Sequence, residues 1–283
     1  MAIQKVSFKH VVKNFKAVFI DSYGVLKNHT GLIEGVDETI GYLREQGIAV
    51  RVLTNDASRS QQQQVEMFKR LGLNSLREDE IITSGMLARQ FLELKIKKGR
   101  VAYLGTENSA KYIFENGLEG VPVSEIDVDD AKHFDAFLFL DDEGFDWNRD
   151  INKTVNFLRR KNLPIIVANS DKYYPISNND VAVAIGAISR LIESVLNQKF
   201  IRFGKPDSQM FTYAFDGLNK FHNFERHEVL MVGDTLHTDI LGGNKFGLQT
   251  LLVLSGNTRP ESAEMKINAS GIIPDYISDS ILK

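Results

Sequence analysis

The run Ala17-Val18-Phe19-Ile20-Asp21-Ser22-Tyr23-Gly24-Val25 decides how the chain is read. Four apolar residues ending in a carboxylate predict a short buried strand that delivers Asp21 to its carboxyl end. Gly24 then permits a turn whose backbone amides approach whatever Asp21 attacks. Three other segments share this character: Val50-Arg51-Val52-Leu53 ending in Thr54-Asn55, Phe203-Gly204 before Lys205-Pro206, and Val229-Leu230-Met231-Val232 before Gly233-Asp234-Thr235. In an open parallel sheet such strand ends meet on one edge, where ligands bind. A nucleophile, a hydroxyl, a cation and a metal-binding carboxylate then converge. That set suits attack on a phosphoryl group.

Working outward, strand and helix patterns alternate from Ala17 onward and predict an α/β fold with a doubly wound parallel sheet. Helices are expected over 36–46, stopped by Gly47, and over 61–71, stopped by Gly72. The run Gln61 to Gln64 reads as a solvated helix start. Between Thr54 and Lys205 the chain is far longer than the ~30 residues of a single crossover. An inserted α/β domain is therefore placed at 87–198, with 1–86 and 199–283 forming the Rossmann-like core. Inside the insert the pattern predicts strands over 101–104, 136–140 and 165–168, and helices over 109–116, 151–160 and 184–196.

Bulk properties narrow the function classes. Net charge is −3 with no dense Lys/Arg stripe, which argues against a nucleic-acid partner. There are no cysteines, so disulfides, thiolate metal sites and a cysteine nucleophile are excluded. No apolar run approaches the ~18 residues of a membrane span, and the expected setting is cytoplasmic.

The four segments, in this order and with Gly233-Asp234-Thr235-Leu236-His237-Thr238-Asp239 as the last, resemble the haloacid dehalogenase superfamily of aspartate-nucleophile hydrolases. The resemblance is closest to its capped sugar-phosphate, nitrophenyl-phosphate and pyridoxal-phosphate phosphatases, and runs from Phe19 to Pro274-Asp275-Tyr276. It implies a Mg²⁺-dependent phosphatase of a small phosphorylated metabolite. Asp21 is the candidate nucleophile, and Asp234 the candidate Mg²⁺ ligand, since magnesium favours carboxylate oxygens. By the resemblance, Asp21 adds a second oxygen and the Tyr23 carbonyl a third, with Asp239 binding through water or supporting the site. Lys205 would hold Asp21 and the phosphate together, while Thr54 and Asn55 offer a hydroxyl and an amide to phosphate oxygens. The resemblance also turns the loop of Asn169 and Asp171 toward the leaving group, although ordinary turn chemistry explains both equally well. It further suggests a homodimer paired through the inserted domain.

The chain departs from the family pattern at Tyr23, where most phosphatases of the superfamily carry the aspartate that protonates the leaving oxygen. An unperturbed tyrosine, with a pKa near 10, is a poor base near neutrality. His29 is one candidate replacement, and Asp56 stands where relatives often have a neutral residue. Asp141-Asp142-Glu143 reads as a solvated acidic loop, and His237 as a packed or solvated side chain. Two rival readings stay open. One is a non-catalytic phosphate-ligand binder. The other is a 2-haloacid dehalogenase, whose first motif also reads Asp-x-Tyr-Gly but whose insertion follows the nucleophile directly.

Overall fold

A computed structural model describes residues 5–129, 133–177, 180–220 and 222–282. It divides into two compact units, one of Met1–Thr54, Gln61–Ile82 and Lys205–Lys283, the other of Asn55–Ser60 and Thr83–Gly204.

The first unit carries a six-stranded sheet in the order Tyr276–Ser278, Gln249–Val253, Val229–Gly233, Ala17–Asp21, Ala49–Thr54, Ile81–Thr83. Strand Ala17–Asp21 lies parallel to both neighbours, with Ile20 opposite Val232 on one side and Asp21 opposite Leu53 on the other. Its apolar residues are wholly buried because both faces of the sheet are covered. Val18, Ile20, Val50, Val52, Leu230, Val232, Leu251 and Val253 share one core with Phe8, Val36, Ile40, Leu43 and Phe68. On the opposite face Leu252 packs with Leu236, Ile240 and Ala263. The α/β, doubly wound expectation holds.

Local chemistry sets the helix limits. Val36–Glu45 opens with Asp37 and Glu38 and closes with Arg44, as the helix macrodipole favours. Gln61–Arg70 forms where expected, but its start is only partly solvated: Gln62 is exposed, while Gln61 and Gln63 are half-buried. Gln64 is buried, and the Gln61 side-chain amide donates to the carbonyls of Ile81 at 2.6 Å and Glu78 at 3.2 Å.

The second unit has its own parallel sheet, ordered Ile201–Arg202, Ile165–Val167, Ala136–Phe139, Arg100–Leu104, Glu119–Pro122. Phe137, Phe139, Phe157, Val167 and Ile185 fill its core. Helix Ser84–Lys95, which the sequence reading did not find, is capped by Thr83, whose Oγ1 accepts from Met86 N at 3.1 Å. Helix Trp147–Arg160 begins ahead of position 151 because Asp146 caps it, accepting from Arg149 N at 2.7 Å. The helix expected over 109–116 shortens to Lys111–Phe114. Asn55–Ser60 belongs with this unit through its hydrogen bonds. Ser84 Oγ donates to the Asn55 carbonyl at 2.7 Å, and Tyr112 OH donates to the Arg59 carbonyl at 2.6 Å. Among the described residues no helix is long and apolar enough to cross a membrane.

Candidate active site

In the six-stranded sheet the chain order reverses between Ala17–Asp21 and Val229–Gly233. Ligands of open α/β sheets bind at such a switch point, beyond the carboxyl ends of the strands. Parallel pairing brings Asp21, Thr54 and Asp234 to that edge together. One carboxylate oxygen from each of Asp21, Asp234 and Asp239 falls within a common 4.8 Å. Lys205 enters the same cluster, ion-paired to Asp21 and, at 2.8 Å, to Asp239 Oδ1. Lys205, Asp234 and Asp239 are 2%, 1% and 0% exposed, so these charges are held away from bulk water.

Burial and repulsion act together on the acids. Burial raises the Asp21 carboxyl well above the ordinary range; Lys205 opposes this, while Asp239 and Asp234 add to it. Burial, then Asp239, push Asp234 up to about 7. For Lys205, burial alone would lower the pKa, but Asp21 and Asp239 outweigh it and keep the ammonium charged. Three acids thus face one ammonium. A further cation between Asp21 and Asp234 would relieve the excess, and their all-oxygen donors suit a hard ion such as Mg²⁺.

The neighbouring groups fix this arrangement. Gly24, at φ +87°, packs so close to Asp234 that a Cβ there would overlap its Oδ2. Asp234 accepts from Thr235 Oγ1 and from Asn257 N, both at 2.7 Å. Asp239 Oδ1 is ion-paired to Lys205 and its Oδ2 accepts from Thr235 N at 3.0 Å, so both of its oxygens are engaged. Tyr23 is half-buried with Lys27 Nζ 5.3 Å from its ring centre. Burial, and then Asp234, raise its phenol further above 10.

In the second unit Asn55, Asn169 and Asp171 come together with one another. Asn55 Nδ2 donates to Asp171 Oδ1 at 2.8 Å, and Asp171 N donates to Asn169 Oδ1 at 2.8 Å. The Asn169 side chain thus performs turn chemistry. Asp56 also closes a local turn, accepting from Ser58 N at 2.7 Å and pairing with Arg59 at 3.0 Å. His29 and His237 are exposed. Asp141 and Asp142 are less solvated than expected: Thr106 donates to the first at 3.1 Å and Tyr174 to the second at 3.0 Å.

The sequence reading missed Ser255-Gly256-Asn257. Its signal was the one used for Asp21 and Asp234, a Gly-containing polar turn directly after an apolar strand, here Gln249–Val253.

The chain is similar to known hydrolases along its length. A family model described as haloacid dehalogenase-like hydrolase matches residues 18–119, and a related hydrolase model matches 202–283. A solved structure from Cytophaga hutchinsonii, described as a possible sugar phosphatase of the HAD superfamily, is 50% identical with a TM-score of 0.94, covering 100% of this chain and 99% of that one. Phosphoglycolate phosphatase 2 of Arabidopsis thaliana is 28% identical over 97% of this chain and 94% of its own length. A glycerol phosphate phosphatase of Mycobacterium tuberculosis, solved in complex with magnesium, shares the fold at 23% identity and a TM-score of 0.76, with 98% and 78% coverage. With half its residues shared, end to end, with a structure of that superfamily and with phosphatases among its full-length relatives, this chain belongs to the haloacid dehalogenase superfamily of hydrolases, in its group of capped phosphatases.

Proposed function

We propose that the chain is a Mg²⁺-dependent phosphomonoester hydrolase acting on a small phosphorylated metabolite, such as a sugar phosphate, through an aspartyl-phosphate formed on Asp21. The observation that carries this reading is the buried cluster in which Asp21 touches Lys205 while Asp234 lies within reach of the same ion. A structural salt bridge needs no second and third carboxylate.

Asp21 attacks phosphorus and expels the alcohol oxygen; water then cleaves the acyl phosphate and restores the carboxylate. Lys205 holds Asp21 in place and offsets charge on the equatorial phosphoryl oxygens. Thr54, 7% exposed at its strand end, and Asn55 beside it are assigned to phosphate oxygens. Asp239 orients Lys205. Asp21, Asp234 and the Tyr23 carbonyl would hold Mg²⁺, which supplies charge neutralisation for the phosphoryl group and for the facing acids. Magnesium is also the ion in the M. tuberculosis structure of this fold.

With Tyr23 in place of the usual acid, the leaving oxygen departs with little help. Aryl phosphates should therefore be cleaved far faster than alkyl phosphates. The second unit is assigned to substrate selection, with Asn169 and Asp171 in its contact loop. Pairing of two copies is assigned to the same unit, where Tyr173, Val183, Leu191 and Val195 are exposed. A cytoplasmic setting without nucleic-acid or membrane partners completes the reading, on net charge and the absence of cysteine.

The test is a screen of phosphomonoesters with Mg²⁺ on the wild type and Asp21→Asn. Turnover lost in the variant supports the hydrolase. Ligand binding without turnover in the wild type would instead establish a phosphate-ligand binder, the reading that Tyr23 favours.

A further inference from the structure

The Asp234 carboxylate is enclosed by two glycines from distant parts of the chain. A Cβ on Gly24 or on Gly256 would overlap its Oδ2 in either case. Ser255 Oγ donates to the Gly24 carbonyl at 2.7 Å, tying the turn after the nucleophile to the turn after strand Gln249–Val253. From that second turn Asn257 N donates to Asp234 Oδ2 at 2.7 Å, and Thr258 N donates to the Asp234 carbonyl at 3.1 Å. Asn257 Nδ2 donates to Thr235 Oγ1 at 2.9 Å, and Thr235 Oγ1 in turn donates to Asp234 Oδ1 at 2.7 Å. The amide therefore fixes the direction of the threonine hydroxyl: with Oγ1 accepting from Asn257, its proton points to Asp234. Each carboxylate oxygen accepts one short bond from a fixed donor. Rotating the carboxyl group would break both bonds.

We infer that Thr235 and the Ser255-Gly256-Asn257 turn are positioning residues for Asp234, setting the rotation of its carboxylate and, through it, the affinity of the site for a divalent cation. This rests on the reading of Asp234 as a cation ligand. The physical basis is preorganisation: a ligand held in its binding orientation does not lose that freedom when the ion arrives. Partners that orient metal-ligating carboxylates typically contribute 10- to 100-fold in metal affinity.

The test is calorimetric titration with Mg²⁺ alone, in the absence of any substrate, on the full chain and on Gly256→Ala, Thr235→Val and Thr235→Ser. Thr235→Val keeps the shape and removes the hydroxyl; Thr235→Ser keeps the hydroxyl and rescues. The expected result is Mg²⁺ binding about tenfold or more weaker in Gly256→Ala and Thr235→Val, and close to the wild type in Thr235→Ser. Circular dichroism in chelator identifies which variants are folded. If Gly256→Ala does not fold, the valine and serine pair decides alone. Valine and serine variants that both bind Mg²⁺ as tightly as the wild type would overturn the inference while leaving the cation site intact. A wild type that binds no Mg²⁺ would remove the cation reading itself, and the inference with it.

Discussion

Asp21, Asp234 and Asp239 share one ammonium, so the metal-free protein should lose stability as pH rises. Asp234 sets the scale. Its carboxyl moves from an ordinary value of 3.8 to about 7 in the fold, first through burial and then through Asp239. A group that holds its proton more tightly folded than unfolded stabilises the fold fully below the unfolded pKa. That contribution disappears as pH climbs through the folded pKa. Each pKa unit corresponds to about 1.4 kcal/mol, so ionising Asp234 without a cation costs on the order of 4 kcal/mol. About 3 kcal/mol of that is lost between pH 5 and 8.5, which for a chain of this size is a fall in Tm of roughly 6 °C. Asp21 is shifted in the same direction and adds to the slope.

The assay is thermal unfolding in chelator from pH 5 to 8.5, followed by far-UV circular dichroism, on the wild type and Asp234→Asn. Asparagine has no proton to lose. It also turns an N–H toward one of two donors, Thr235 Oγ1 or Asn257 N, which should cost about 1–3 kcal/mol at every pH. The variant should thus begin less stable but show a flatter profile. Mg²⁺ at 100 times its Kd should add about 2.7 kcal/mol to the wild type, chiefly at the alkaline end. A wild-type Tm that stays level or rises across this range, or a slope that Asp234→Asn shares, would refute the argument from buried repulsion.

Two further outcomes follow from the same geometry. Lys205→Met leaves Asp21 and Asp239 buried without their ammonium; activity should fall by about 10²- to 10³-fold or more, with a loss of about 3–5 kcal/mol in chelator at pH 8, checked by steady-state kinetics and urea unfolding. Tyr23→Asp places a carboxyl at the position of the missing acid. It should raise turnover of alkyl phosphates by about 10²-fold while changing nitrophenyl phosphate far less, and equal gains on both substrates would show that proton transfer is not what Tyr23 limits.

Much of the core was legible in the sequence because its strands are buried on both faces. Continuous apolar runs such as Ala17 to Ile20 and Val229 to Val232 mark such strands without any need for periodicity. Asp21, Thr54 and Asp234 were legible as the polar residues that end those runs; Lys205 does not follow that rule, because the strand before it, Ile201–Arg202, belongs to the sheet of the second unit. The start of helix Trp147–Arg160 was not, because Asn148, Arg149 and Asp150 have no apolar stripe and the signal lies in the Asp146 cap. Helix Ser84–Lys95 was passed over although Thr83 marks its start.

By itself the sequence determined which residues could do chemistry and the order in which strands deliver them. Only tertiary structure decided their pairing. Within the cluster it forms with Asp21 and Asp234, Asp239 pairs with Lys205 and accepts from Thr235 N, and Asp171 accepts from the Asn55 side-chain amide. Asn257, twenty-three positions from Asp234, supplies one of its hydrogen bonds. The reason is that strand type is written locally, in the hydrophobicity of a few neighbours. The partner of a buried carboxylate is set by which strand ends the sheet order places side by side, and that order depends on packing of the whole chain.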